Sequence, residues 1–244
     1  NVTEEGKRIM GGQLKKLFGP VDMTEGKPWE KIVAFTVPLI IGNIAQQLYN
    51  TVDSIIVGRY VGDNALAAVG SAGPILNLLL VLFIGISVGS SVMVSQYFGA
   101  KEREELSATI GSCITLTAIA SVIIMALAPF VIMPMLELLH TPDTIIDWCN
   151  SYLRILFIGI AGVAYYNILS GILRGLGDSV SALLYLLVAT VLNIILDLWF
   201  VAGLGLGVPG VALATAIAQA VSAILCMWKL TRMKDVFDFK LHYL

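Results

Sequence analysis

The sequence has 244 residues, of which 57% are hydrophobic and 13% charged, and its mean hydropathy is +0.87. A soluble domain carries roughly 25% charged residues, so this composition excludes a soluble protein and indicates an integral membrane protein. The net charge of −2 says little, because the charges are segregated along the chain. The three cysteines lack the close spacing of a disulfide framework or a zinc site.

Six apolar stretches are long enough to span a bilayer, which takes roughly 20 residues. In chain order they cover about 31–58, 65–98, 107–138, 146–173, 179–202 and 210–230. Proline bends a helix from within, and several stretches exceed the minimum length, so we expect bends at Pro38, Pro74, Pro129 and Pro134. The predicted fold class is all-α integral membrane, a six-transmembrane-helix bundle over 31–230. It is flanked by polar segments, 1–30 and 231–244.

Lys and Arg predict the orientation of the bundle. Of the 15 Lys and Arg, all but Arg59 and Arg154 lie in the two flanking segments, at the helix ends next to those segments, or in the second or fourth loop. Basic loops stay on the cytoplasmic side of a membrane. The sequence therefore predicts a multi-pass protein of the cell inner (plasma) membrane with both ends of this chain in the cytoplasm.

A layer of polar residues is predicted at one depth of the membrane. Asp53 and Asp197 lie inside apolar segments, where a charged group is costly and generally marks an ion, proton or substrate path. With the predicted orientation, both lie ~7–9 Å below the outer ends of their helices, as do Tyr152 and Thr215. Asn193 shares a helix face with Asp197 because the two are four residues apart.

This oxygen-rich set suits a small hard cation, and two neighbouring carboxylates also suit a shared proton. The predicted site for Na⁺ or H⁺ is therefore Asp53, Asn193, Asp197 and Thr215, with Tyr152 beside it. The alternative is that the two aspartates only make hydrogen bonds between helices. Sequence gives the depth of these residues but not the rotation of their helices, so their convergence is a hypothesis.

Further polar residues predict a water-filled cavity. Asn43, Gln46 and Asn50 form a polar stripe on the first helix, which a helix facing only lipid would not tolerate. Asn77 and Asn167 are candidates to join it. Arg154, the intramembrane cation, has two simple explanations, which are extension to the membrane interface and pairing with an acid.

Two short segments match enzyme motifs in sequence but lack the structural context that those motifs need. Residues 85–89 spell GxSxG, but they lie within a predicted helix, whereas a nucleophile elbow needs a strand–turn–helix context and a histidine partner. Residues 175–178 spell the GxGD of intramembrane aspartyl proteases, but they follow Arg174 at a predicted cytoplasmic turn. The chain is therefore not predicted to be an enzyme. The spacing of Gly85 with Gly89, and of Gly171 with Gly175, instead predicts close helix packing.

Several runs together resemble multidrug and toxic compound extrusion (MATE) transporters, with the character of the prokaryotic DinF-like branch. They are VDSIIVG (52–58), NALAAVG (64–70), QYFGAK (96–101) and RGLGDS (174–179), followed by Asn193, Asp197 and the segment 210–215. The match covers about residues 28–232. Family members have about twelve helices in two lobes, so the resemblance implies that this chain is an N-terminal lobe ending where the interlobe linker begins.

The resemblance implies a cation-coupled antiporter that exports drugs or other organic compounds by alternating access. It needs no cofactor besides the coupling ion, Na⁺ or H⁺, and the same five residues at the polar layer would hold that ion. A further polar residue deeper in the lobe would be Ser170 or Asn167. The implied partners are an amphipathic or cationic small molecule, the lipid bilayer, and either a C-terminal lobe or a second copy of this chain. A nucleic-acid partner is not expected.

Two other functions stay open at this point. A lipid-linked oligosaccharide flippase of related architecture would need several basic residues in its cavity for the pyrophosphate, and the sequence offers Arg154. An oligomeric ion channel or structural membrane module would have a narrow pore and no cavity of drug size.

Overall fold

The computed structural model describes residues 27–233 and 235–237, which fold into helices without any strand. In chain order these are α1 (Pro28–Tyr60), α2 (Asp63–Ala100), α3 (Arg103–Leu138), α4 (Asp143–Ile158), α5 (Ile160–Gly175), α6 (Ser179–Asp197), a π-helix (Leu198–Gly203) and α7 (Gly207–Arg232). Most of the predicted flanking segments, namely 1–26, 234 and 238–244, lies outside the described residues. The predicted boundaries of these segments stay predictions.

Six membrane spans account for the described helices. Five are long and apolar enough by themselves: α1, α2, α3, α6 with its π-helix, and α7. The sixth is the pair α4 and α5, which meet at an angle of 53°. The all-helical, six-span fold predicted from the sequence is therefore confirmed. The prolines expected as bend points lie inside α1, α2 and α3, which continue through them.

The prediction of one continuous helix over 146–173 is wrong, because the helix breaks at Gly159. A Cβ atom added there would lie 2.6 Å from the Cβ of Ala216 on α7. Two carbon atoms cannot approach so closely, so only glycine allows α7 to pass at this point. The break thus lets α4 and α5 follow different directions against the same face of α7.

Close packing between α2 and α5 depends on two small residues. A Cβ added at Gly171 would overlap the side chain of Ser87, and one added at Gly175 would lie 2.7 Å from the carbonyl oxygen of Ser91. The predicted role of this glycine pair is confirmed. For Gly85 and Gly89 the prediction is wrong within the described residues, since no atom lies within 4 Å of an added Cβ at either position.

The turn before α6 is fixed by the carboxylate of Asp178, which is 2% exposed. It accepts hydrogen bonds from the backbone nitrogen of Ser181 at 3.0 Å and from its hydroxyl at 2.7 Å. The ammonium group of Lys229 on α7 lies 3.4 Å away. One side chain therefore caps α6 and ties the α5–α6 turn to α7.

We expect Asp178→Ala to lower the free energy of unfolding by ~2 kcal/mol, because the helix loses its N-cap and Lys229 loses its partner. Thermal unfolding in detergent measures the effect. Ser181→Ala is the matched control. It removes the hydroxyl bond to Asp178 but keeps the bond from the Ser181 backbone nitrogen, so its free energy of unfolding should fall by less. An unchanged melting temperature for Asp178→Ala would contradict the assignment.

Candidate cation and substrate site

An open cavity of about 550 Å³ lies among α1, α2, α4, α5 and α7. Its polar wall on α1 consists of Gln46, Tyr49, Asn50 and Asp53, which recur at the spacing of one helix face. Apolar side chains of α2 form much of the opposite wall. Because one wall is polar and the other is apolar, the cavity can accept a molecule that has both characters.

Asp53, Asn193 and Asp197 meet behind this wall. Asn193 and Asp197 are fully buried on α6, and Asp53 of α1 is 9% exposed. With its amide oriented so that the nitrogen faces the carboxylates, Asn193 donates to Oδ1 of Asp53 at 2.7 Å and to Oδ2 of Asp197 at 3.2 Å. One side-chain amide thus connects two acids from different helices, and it links α1 to α6.

Several oxygen atoms around this cluster lack a hydrogen-bond partner. They are the second carboxylate oxygen of Asp197, the amide oxygen of Gln219 and the hydroxyls of Tyr49 and Thr215. The two hydroxyls interact with each other, but not in hydrogen-bonding geometry. Unsatisfied buried oxygens are costly, so a bound cation or water would find ligands ready at this position.

The composition of the site limits which ion fits it. Across the part of the chain that the structure describes, no group of three or more His, Cys, Asp or Glu is arranged to hold a metal ion. The donors at the cluster are two carboxylates with neutral oxygens nearby. Such oxygen donors suit a hard cation of low charge, and the two carboxylates suit a shared proton.

The backbone of α6 changes immediately after the second acid. Asp197 ends the α-helical part, and the π-helix Leu198–Gly203 continues from it. Short π segments inside helices occur frequently at functional sites, where they change the direction of side chains. Here the change falls between the acidic pair and the loop that leads to α7.

The structure brings the predicted coupling residues to one place. Asp53, Asn193 and Asp197 are connected by hydrogen bonds. Tyr152 and Thr215 line the cavity beside Asp53, and Tyr152 lies near enough to both carboxylates to interact with their charge. Whether these residues bind a cation stays a prediction.

The predicted cavity residues divide into two groups. Gln46, Asn50, Asn77 and Asn167 line the cavity. Asn43 does not, because it lies one turn nearer the start of α1 than the lining residues, and it is exposed.

Ser170 also lies outside this cavity. It is 1% exposed and donates its hydroxyl to the carbonyl of Asn167 at 3.0 Å. Neither Asn43 nor Ser170 therefore lines this cavity, and their predicted roles stay predictions. Of the two alternatives for the deeper polar position on α5, Asn167 lines the cavity and Ser170 does not.

Gln219 was not predicted from the sequence, although it is 6% exposed and lines the cavity. Its position four residues after Thr215 puts both on one face of α7. A polar amide in an otherwise apolar helix, on the same face as a predicted site residue, could have indicated it. Tyr49 and Tyr166 also line the cavity.

A six-span helical bundle with two buried acids beside an open cavity defines a class of membrane transport protein. The MatE family model matches residues 38–199, and the chain belongs to this family of transporters, the MATE multidrug efflux family.

Two curated relatives and one solved structure illustrate the similarity. The chain is 34% identical over 225 residues to the probable multidrug resistance protein YoeA of Bacillus subtilis (strain 168), covering 90% of this chain and 49% of that protein. It is 26% identical over 188 residues to the DNA damage-inducible protein F of Escherichia coli (strain K12), covering 77% and 41%. An outward-facing multidrug resistance MATE family transporter of the MOP superfamily superimposes with a TM-score of 0.85 at 30% identity, covering 92% and 50%.

The chain therefore spans about half the length of the relatives it matches, and the matched half corresponds to one lobe of the solved MATE transporters.

Proposed function

We propose that this chain is the N-terminal lobe of an antiporter that exports small organic molecules in exchange for Na⁺ or H⁺. The observation that carries the proposal is the hydrogen-bonded group of Asp53, Asn193 and Asp197, which adjoins the cavity of about 550 Å³. A cation at the acids and an organic molecule in the cavity would be neighbours. Each would therefore affect the binding of the other.

The cation would bind where the carboxylates and the unpartnered oxygens face each other. The free oxygen of Asp197 and the hydroxyl of Thr215 supply ligands, and Asp53 supplies the second negative charge. A proton shared between the two carboxylates would replace Na⁺ without any other change in the donor set. Either ion reduces the charge that keeps the cavity wall hydrated.

Coupling follows if the cation has different affinities for two arrangements of α1. A ligand shifts a conformational equilibrium only by its differential affinity for the two states. Asp53 is on α1 and its partners are on α6, so a cation between them favours the arrangement in which α1 lies against α6. Pro38 lies inside α1 and offers a place where the helix can bend. Bending there would convert one arrangement of α1 into the other, as alternating access requires.

The substrate class is an amphipathic or cationic organic molecule. The cavity volume lies within the ~300–1,000 Å³ of typical small-molecule sites. Its lining combines apolar side chains of α2 with five side-chain amides, which are Gln46, Asn50, Asn77, Asn167 and Gln219. Multidrug resistance and export proteins among the relatives agree with this class.

The residues that line the cavity argue against the two alternative functions. No Arg or Lys is among the residues that line this cavity, whereas a flippase for lipid-linked pyrophosphates would need several. A channel or structural module would need no cavity of this size beside a pair of buried acids. A C-terminal lobe, or a second copy of this chain, would complete the transporter in the plasma membrane with both ends of this chain in the cytoplasm.

The test of the proposal is equilibrium binding of ²²Na⁺ to the purified protein between pH 5 and 9, for the natural sequence and for Asp53→Asn. We expect saturable binding that protons compete away and that Asp53→Asn reduces at least ~10-fold, because one of two ligand charges is lost. Asp63→Asn, at the exposed start of α2, is the control and should bind normally.

Two outcomes would bear against the proposed ion. Na⁺ binding that survives Asp53→Asn unchanged would place the ion elsewhere. Binding of neither Na⁺ nor a proton, the latter measured by proton release on adding a competing ion, would reject cation coupling in this lobe.

A further inference from the structure

Arg154 lies on the outer surface of α4, eleven residues after the helix begins at Asp143. At 1.5 Å per residue this is ~16 Å along the helix. The helix is part of a membrane span, and Arg154 is exposed on it. A charged side chain at this depth is costly unless it reaches the interface or finds a partner.

The protein supplies only part of that partner. Nε of Arg154 donates to Oδ1 of Asn150 at 3.1 Å. Asn150 lies one turn nearer the start of α4, so this bond directs the guanidinium toward the membrane interface. Within residues 27–233 and 235–237, Arg154 forms no ion pair with a carboxylate, and its two terminal amino groups make no hydrogen bond. The expectation of pairing with an acid is not met there.

An apolar pocket of about 210 Å³ lies directly beside Arg154, between α3 and α4. Pro129 forms part of its wall and cannot donate a hydrogen bond to the carbonyl of Met125 one turn earlier. Apart from Arg154, every lining residue is apolar: Met125, Ala128, Pro129, Ile132, Phe157 and Ile158. The site therefore combines one cation, directed toward the interface, with an apolar pocket in the span.

We propose that Arg154 and this pocket form a binding site for an anionic phospholipid. The planar guanidinium offers two parallel donors to a phosphate group, which is the geometry of strong bidentate pairing. An acyl chain of the same lipid occupies the apolar pocket between α3 and α4. A free phosphate ion would match the charge but would leave the pocket empty, so the two features together select a lipid.

The site is separate from the cavity of the proposed transport function. None of the residues that line the lipid pocket lines that cavity. The inference therefore does not depend on which cation or substrate the protein carries. It requires that the helices lie in a bilayer, which the apolar spans and the family establish, and that this face of α3 and α4 contacts lipid rather than the other lobe.

Native mass spectrometry of the full natural protein in an uncharged detergent tests the proposal. The protein is mixed with phosphatidylglycerol or phosphatidylcholine at equal concentrations. We expect one phosphatidylglycerol to bind with a roughly tenfold preference, because the quaternary ammonium of phosphatidylcholine offsets the charge of the phosphate that both lipids carry. Arg154→Gln should remove that preference. Arg154→Lys, which keeps the charge but not the two parallel donors, should retain only part of it.

Two further variants keep the test specific. Arg59→Gln removes another exposed cation, at the end of α1 on the same side of the membrane, and should keep the full preference. Ile158→Trp enlarges a largely exposed side chain that lines the pocket and should weaken binding of both lipids. A natural protein without preference for phosphatidylglycerol would overturn the proposal, as would Arg154→Gln with its preference intact, because Arg154 would then not hold the anionic headgroup.

Discussion

Asp197→Asn is expected to abolish cation-driven export while the protein stays folded. The amide keeps the size of the carboxylate and can still form a hydrogen bond with Asn193, but it cannot supply the second charge that holds a cation against Asp53. We expect the initial rate of ethidium efflux from energised cells to fall at least ~10-fold, since the coupling ion loses most of its differential affinity for the two states.

The matched control for this experiment is Asp147→Asn, which changes an exposed acid on α4 and should export at the natural rate. Melting temperatures of both variants in detergent separate loss of coupling from loss of folding. Efflux by Asp197→Asn at the natural rate would refute the role of the acidic pair in coupling.

Gly171→Leu is expected to prevent accumulation of folded protein. Even one added carbon atom at this position overlaps the side chain of Ser87 and lies 2.9 Å from the Ser87 carbonyl oxygen. The Ser87 hydroxyl donates to the carbonyl of Asn167 at 2.6 Å, so displacing it also breaks a contact between α2 and α5. We expect a loss of ~3 kcal/mol or more in the free energy of unfolding, measured as the yield of monodisperse protein and its melting temperature.

Gly89→Leu is the matched control, because it makes the same change at an exposed glycine with open space around it. It should leave the yield of folded protein unchanged. If both variants accumulate equally, the close contact of α5 with α2 is not required for the fold.

The sequence predicted which residues share a depth, because helix rise converts residue number into distance. That was enough to group Asp53 with Asp197, and the four-residue spacing to Asp197 added Asn193 on the same helix face. It could not predict that one amide would bridge both acids, because this depends on the rotation of α1 relative to α6. The same reason separates Asn167 from Ser170, which lie three residues apart on α5 and differ in which side of the helix meets the cavity.

The break at Gly159 shows a second limit. Its neighbours are isoleucines on both sides, so no local pattern distinguishes this position from a helix interior. Its close contact with Ala216, more than fifty residues later, is not visible in the local sequence. The two glycine pairs likewise have identical spacing, and only the neighbouring helix decides that Gly171 packs while Gly89 does not.

The burial of α1 has a further consequence for how firmly the first span is attached to the rest of the lobe. Only 17% of its most apolar window is buried, compared with 50% for α7. In a bilayer the hydrophobic effect does not hold helices together, so their attachment relies on packing and on hydrogen bonds between helices. Within the described residues α1 packs mainly against α6, and the bond from Asn193 to Asp53 lies within that contact. The residue that would bind the cation thus also takes part in attaching its own helix, so ion occupancy and helix position are linked through the same contact.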